Sequence, residues 1–358
     1  MKVLVINPGS TSTKVASFSD KGELWREILY HPAQEISVFK RVVDQYAYRM
    51  DKIMKILREK REELSSFDAV VGRGGILDPL EGGTYIITPR ILRDLRKGKH
   101  WEHASNLGGI IAFELAKKAD IPAFIVDPIS VDELEEVARF TGLPFIRKRS
   151  LFHALNVRAV ARKTSEKIGK RFEEVNLIVA HLGGGFSIVA IKGGRAIDLN
   201  NANEMGPFSP ERTGGLPPLS LVNFARDSGL GFAEIKRVLA GNGGMEAYLG
   251  TPDLREVRKM IEEGNSKALL VHRAMAYQVA KEIGSMYASL GGNVDAISIT
   301  GGVAYDSLFM EELKEYIGWM AKIFVFEGEF EMEALAQGAL RVLRGEEKAK
   351  RYKEGGLS

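Results

Sequence analysis

Residues 176–203, NLIVAHLGGGFSIVAIKGGRAIDLNNAN, constrain the fold more than any other stretch of the chain. The apolar, β-branched run from Leu177 to Ala180 enters a turn of three glycines, Gly183, Gly184 and Gly185, and a second apolar run, Ile188 to Ile191, leaves it. That pattern predicts strand, tight loop, strand. Gly193-Gly194 then turns the chain into a third strand, Arg195 to Leu199. Three adjacent glycines strip every Cβ from the bend, so that backbone N–H groups can approach an anion and take dihedrals that other residues avoid. A glycine-rich hairpin is also a common turn that holds no ligand. A second copy bears on the choice: residues 1–18, MKVLVINPGSTSTKVASF, repeat the plan with a strand at Val3 to Ile6, a turn of Asn7, Pro8, Gly9 and small hydroxyls, and a strand from Lys14 to Phe18. Two such units, each opening one half of the chain, predict an internal duplication with phosphate held between the halves.

A chain of 358 residues suits two domains better than one ordinary core. Its 50 basic and 47 acidic residues leave a net charge of +3, which gives no reason to expect nucleic acid or an anionic membrane as partner. With no cysteine, disulfides, thiolate nucleophiles and cysteine-ligated metals are excluded. The start of the chain, a short strand broken at Asn7-Pro8, is not a signal-peptide pattern, and no apolar run approaches membrane-spanning length, so the expected location is the cytoplasm.

After the first hairpin, Leu24 to Tyr30 reads as a third strand. Apolar residues at Phe39, Val42, Val43, Tyr46, Met50, Ile53 and Leu57 then predict one long helix with a single buried stripe. A strand at Asp68 to Val71 ends in Gly72-Arg73-Gly74-Gly75, a loop too bare of side chains to hide Arg73, and a strand at Ala123 to Val126 delivers Asp127. Ligand groups in open α/β sheets gather at strand carboxyl ends, so Arg73 and Asp127 can share one mouth. The expected boundary lies at the basic run Arg147-Lys148-Arg149, giving domains over 1–150 and 151–330, with a last helix over 331–345 packing back on the first domain and a frayed tail over 346–358. In the second half, Lys267 to Leu290 reads as the main buried helix and Ala296 to Thr300 as a strand ending in Gly301-Gly302.

Neither a Walker loop nor a G-x-G-x-x-G occurs, so P-loop and Rossmann nucleotide sites are not expected. His100 and His103 stand three apart, without the carboxylate pattern a zinc site would need. The motifs VLVINPGSTSTK, VVGRGG, LFHALNVR, HLGGGFS, PERTGGLP and ITGGVA, taken in order over essentially the whole chain, resemble the acetate kinase family. Asn7-Pro8-Gly9-Ser10-Thr11-Ser12-Thr13-Lys14 and His181-Leu182-Gly183-Gly184-Gly185 are most similar to its butyrate kinase branch; acetate kinases typically carry Asn where Gly184 stands.

The resemblance implies an α/β fold of two duplicated domains, the acetate and sugar kinase, heat-shock chaperone and actin-like ATPase fold, with the active site in the interdomain cleft. It implies reversible phosphorylation of butanoate by ATP with Mg²⁺, giving butanoyl phosphate and ADP, and a homo-oligomer. Isobutanoate, propanoate or acetate remain alternative acids, and a sugar or polyol kinase or an ATP-driven switch on the same fold remain alternative functions. By motif match, Arg73 and Arg212 hold the carboxylate and the transferring phosphoryl group, with His153 and His181 bordering it. Asn7, Asp127 and Glu333 neighbour Mg²⁺, with Glu331 two residues from the last of these. Ser10, Thr11, Ser12 and Lys14 line the phosphates, Gly183 to Gly185 approach the β-phosphate, and Gly301 and Gly302 approach the adenosine.

Overall fold

A computed structural model describes residues 1–98 and 102–352. His100, half of the histidine pair weighed above, and the end of the expected tail from residue 353 onward lie outside the described residues. Contacts within the chain divide it into two compact units, one formed by Met1–Asp132 together with the chain from Phe330 onward, the other by Glu133–Glu329.

The first unit is built on strands β1 (Lys2–Pro8), β2 (Ser12–Ser19), β3 (Gly22–Tyr30), β4 (Ala69–Arg73), β5 (Thr84–Ile86) and β6 (Ala123–Val126). They form one sheet in the order β3-β2-β1-β4-β6-β5. The first three make an antiparallel meander, β4 and β6 continue it in parallel with β1, and β5 closes the edge antiparallel to β6. Val3, Leu4, Val5 and Ile6 are fully buried, as the central strand of such a sheet demands, each contributing roughly 1.5 to 3 kcal/mol by leaving water. The helix Glu331–Leu343 lies on this sheet against β1, β4 and β6. Gly338 permits the approach, since a Cβ there would sit 2.6 Å from a Val126 methyl.

The second unit repeats that plan. Strands β7 (Asn176–Leu182), β8 (Phe186–Lys192), β9 (Arg195–Leu199), β10 (Ala296–Gly301) and β11 (Ile323–Glu327) lie in the order β11-β10-β7-β8-β9. Again an antiparallel meander is extended by two parallel strands, so β7 corresponds to β1, β10 to β4 and β11 to β6. The 24-residue helix Ser266–Ser289 buries Met275, Ala276, Val279, Ile283 and Met286 in this unit's core. Residues 133 to 150 pack here too. The Glu133 carboxylate accepts from the Ala196 N–H at 2.8 Å and from Arg158 at 3.2 Å, and Lys148 pairs with Asp198.

One element differs from the pattern. The helix expected from Phe39 onward begins only at Tyr46 and runs to Glu59, after a short turn over Val42–Gln45. Arg41 is extended and the Val42 N–H donates to Glu102 at 3.0 Å, so a partner distant in sequence ends what the apolar spacing would continue. The helix's buried residues are Arg49, Ile53 and Leu57.

Candidate active site

In the first unit the carboxyl ends of three parallel strands bring polar residues together. Asn7 is the penultimate residue of β1, Arg73 the last of β4, and Asp127 follows β6 directly. Arg73 donates to both carboxylate oxygens of Glu331, at 2.9 and 3.1 Å, and Asn7 Nδ2 donates to the same carboxylate at 2.8 Å. The glycines around Arg73 serve packing rather than exposure. A Cβ on Gly72 would lie 2.1 Å from the Gly108 carbonyl oxygen, so β4 and the helix Asn106–Ala119 touch backbone to backbone, and Arg73 is half-buried.

Asp127 is buried and holds a positive φ of 38°, a conformation costly for a residue with a side chain. Gly83 secures it from both sides: its N–H donates to Asp127 Oδ1 at 2.7 Å, and its carbonyl accepts from the Asp127 N–H at 3.0 Å. Glu333 sits about 200° around the helix from Glu331, by the 100° per residue of an α-helix. Asn7, Asp127 and these glutamates offer amide and carboxylate oxygens, the donor chemistry a hard divalent cation takes. Lys14 is the cross-strand partner of Asn7, so the two side chains emerge on one face beside the Gly9–Ser12 loop.

His103 also belongs to this neighbourhood. Burial first and the positive charge of Arg73 second hold its imidazole pKa below the ordinary value, and its Nδ1 meets the Ser105 hydroxyl at 2.7 Å.

In the second unit the site residues gather at the β7–β8 hairpin. His181 is penultimate in β7, the place Asn7 holds in β1, and pairs across the strands with Ser187. His153 precedes the helix Ala154–Lys167. Ser187 Oγ accepts the His153 backbone N–H at 3.2 Å and lies 2.8 Å from His153 Nδ1, while Asn156 Nδ2 lies 2.8 Å from His181 Nδ1. These contacts occupy Nδ1 of each ring, and the Asn156 amide, as a donor, makes His181 Nδ1 the acceptor, which puts the proton of a neutral His181 on Nε2. The two rings lie against each other with centroids 4.2 Å apart and planes tilted by 31°. Asn156 and Ser187 went unnoticed in the sequence, though Asn156 sits within the LFHALNVR motif.

The three glycines of the hairpin have no positive φ; they make room for neighbouring side chains. A Cβ on Gly183 would lie 3.1 Å from His181 Nε2, one on Gly184 3.1 Å from a Glu211 carboxylate oxygen, and one on Gly185 2.3 Å from Arg212 Cζ. Arg212 therefore lays its guanidinium directly on the hairpin backbone, and its Nη1 donates to the Ala202 carbonyl at 2.8 Å. Burial lowers the Arg212 pKa and the Glu211 charge opposes that shift. At the end of β10, Gly301 has a φ of 99° and exchanges two backbone hydrogen bonds with Gly328, while Gly302 is exposed and opens a single 3₁₀ turn.

Residues 144–326, just over half the chain, match the model of the acetokinase family. Among solved structures, the chain is similar to Porphyromonas gingivalis acetate kinase, at 22% identity over 96% of this chain and 99% of that one, with a TM-score of 0.80. It is also similar to a propionate kinase from Francisella tularensis, at 19% identity over 94% and 98%, with a TM-score of 0.73. A more distant likeness is to a ROK hexokinase from Thermus thermophilus, at 15% identity over 95% and 98%, with a TM-score of 0.50. These likenesses show the duplicated, actin-like ATPase fold of acetate and sugar kinases. With the family model matched over that span, the chain belongs to the acetokinase family, phosphotransferases that act on a carboxylate.

Proposed function

We propose that this chain is a butyrate kinase, reversibly transferring the γ-phosphoryl group of ATP to butanoate. A carboxylate acceptor with a pKa of roughly 4 to 5, judged from Glu and Asp, is ionised at neutral pH and needs no general base. The acceptor oxygen forms a bond to the γ-phosphorus as the bond from that phosphorus to the bridging oxygen breaks, and ADP leaves with the electron pair. The obstacle is the approach of one anion to another, so fixed positive charge and oriented N–H donors are what such a site must supply.

The observation that carries this reading is Arg212 seated on the glycine hairpin, its guanidinium where any side chain at position 185 would collide. A guanidinium cannot readily lose its charge and its fork suits phosphate or carboxylate. In the reading, Arg212 and Arg73 hold the phosphoryl group and the acid, His153 and His181 donate ring N–H groups to phosphoryl oxygens, and Asp127 assists transfer. Ser10, Thr11, Ser12, Lys14 and Gly183 to Gly185 serve the phosphates, and Gly301 and Gly302 the adenosine. Magnesium, held by Asn7, Asp127 and a glutamate at 331 or 333, would neutralise charge on the phosphates. A reaction fed by ATP fits the cytoplasm, and the family resemblance implies a homo-oligomer.

Butanoate is favoured over acetate by the motif likeness at Asn7–Lys14 and at Gly184. The acceptor class is tested by ADP release from Mg-ATP with butanoate, glucose or glycerol. Release driven by butanoate alone supports the reading. Release driven by glucose or glycerol overturns it, since an alcohol acceptor needs a base beside it.

A further inference from the structure

The first hairpin loop is held from behind by a buried arginine that no sequence motif marks. Arg49, on the helix Tyr46–Glu59, is 1% exposed. Its Nη1 donates to the carbonyls of Gly9 at 2.8 Å and Ser12 at 3.1 Å and lies 3.0 Å from Thr13 Oγ1, while Nη2 donates to the Ser10 carbonyl at 3.1 Å. Nε and Nη2 also donate to Gln45 Oε1, at 3.1 and 2.7 Å. The remaining loop carbonyl, of Thr11, accepts from the His31 N–H at 2.8 Å. Every carbonyl from Gly9 to Ser12 is thereby taken by the body of the unit.

The loop's N–H groups are disposed differently. That of Gly9 closes the turn onto the Ser12 carbonyl at 2.8 Å, but those of Ser10 and Thr11, both exposed residues, have no acceptor among the described residues. Successive N–H groups left open while their carbonyls are tied back make a nest for an anion. The charge behind the nest points the same way. Among the described residues no carboxylate pairs with Arg49; its partners are four neutral backbone and hydroxyl oxygens and one amide. A buried cation without a counter-ion is costly, and an anion brought to the loop relieves that cost.

We propose that Arg49 is the positioning residue of the Gly9–Thr13 loop, holding its carbonyls inward so that the Ser10 and Thr11 N–H groups receive a phosphate of the nucleotide. This rests on the nucleotide-dependent reading above. Three carbonyls and a hydroxyl are spanned by one rigid fork, a geometry that a lysine ammonium on a flexible stem does not reproduce.

The test uses the full chain with Arg49→Lys and Arg49→Met, their folding checked by circular dichroism and thermal melting. MgADP affinity is measured by calorimetry, and KM for ATP and for butanoate by steady-state kinetics. Both variants are expected to bind MgADP at least tenfold more weakly and to raise KM for ATP by a similar factor, with KM for butanoate within twofold. A residue that served stability alone would lower the melting temperature without that split. A folded Arg49→Lys protein with MgADP affinity within twofold of the parent overturns the proposal, as does an equal rise in both KM values. Should neither variant fold, Gln45→Leu frees the arginine while keeping its charge; severalfold weaker MgADP binding supports the proposal and unchanged binding overturns it. If the parent binds MgADP but phosphorylates no carboxylate, the butyrate kinase reading falls while the binding measurements still decide the role of Arg49.

Discussion

Arg73 and Glu331 stand 258 residues apart in sequence and meet as a two-point ion pair, Nη2 to Oε1 at 2.9 Å and Nη1 to Oε2 at 3.1 Å. The pair fixes the guanidinium plane at the end of β4, and the same carboxylate takes Asn7 Nδ2 at 2.8 Å. Planar, charge-assisted pairs of this kind add geometric definition as well as energy. Glu331→Gln keeps the shape and removes the charge. It is expected to cost roughly 1 to 3 kcal/mol of stability and to lower kcat/KM for the acid at least tenfold. Arg73→Ala is expected to remove roughly 100- to 1,000-fold of turnover while the protein remains folded. Near-normal rates in Arg73→Ala, read by ADP release, would refute the role given to Arg73.

The hairpin glycines are expected to differ in tolerance. Gly185→Ala places a Cβ where the Arg212 guanidinium lies, with Cζ at 2.3 Å, and must displace it. Gly184→Ala meets only the mobile end of Glu211 at 3.1 Å. Turnover should therefore fall by roughly 100-fold or more in Gly185→Ala, as on losing an oriented charge, and by far less in Gly184→Ala. Equal activities in the two variants would contradict the placement of Arg212.

His31 predicts a pH dependence of stability. Burial first, then the charges of Arg49 and Lys52, lower its pKa from an ordinary 6.5 to about 4. Its Nε2 meets Thr13 Oγ1 at 2.8 Å, while Nδ1 has no partner among the described residues. Because the folded pKa is depressed, the unfolded chain binds the extra proton between pH 6.5 and about 4. Stability is thus fully present above 6.5 and declines as pH falls through that window, by an amount on the order of 1 to 3 kcal/mol. Denaturant melts at pH 7.5 and 5 should show a larger loss for the parent than for His31→Gln. The same loss in both would exclude His31 as the source.

The duplicated plan was legible because each half carries a continuous apolar strand, a glycine turn and a returning strand, and local pattern suffices to see that. What long-range partners decide was not legible. The start of the helix at Tyr46 depends on Glu102 taking the Val42 N–H. Arg49 was invisible as a core residue because its acceptors in the hairpin lie 36 to 40 residues upstream; its four-residue spacing to the buried Ile53 was the available signal. The glycines at 183 to 185 were expected to supply unusual dihedrals and instead admit His181, Glu211 and Arg212, whose approach no hairpin motif records. At the last helix, composition did not distinguish Glu331 from Glu333; the bond to Arg73 follows from which face Gly338 presses against β6.

The most direct measurement is the initial rate of acyl phosphate formation from Mg-ATP, trapped as the hydroxamate, across acetate, propanoate, butanoate, isobutanoate and phenylacetate. Acyl hydroxamate is expected to form, with kcat/KM greatest for butanoate. Absence of hydroxamate from every acid would contradict the carboxylate kinase account, and a maximum at acetate would contradict the butyrate assignment.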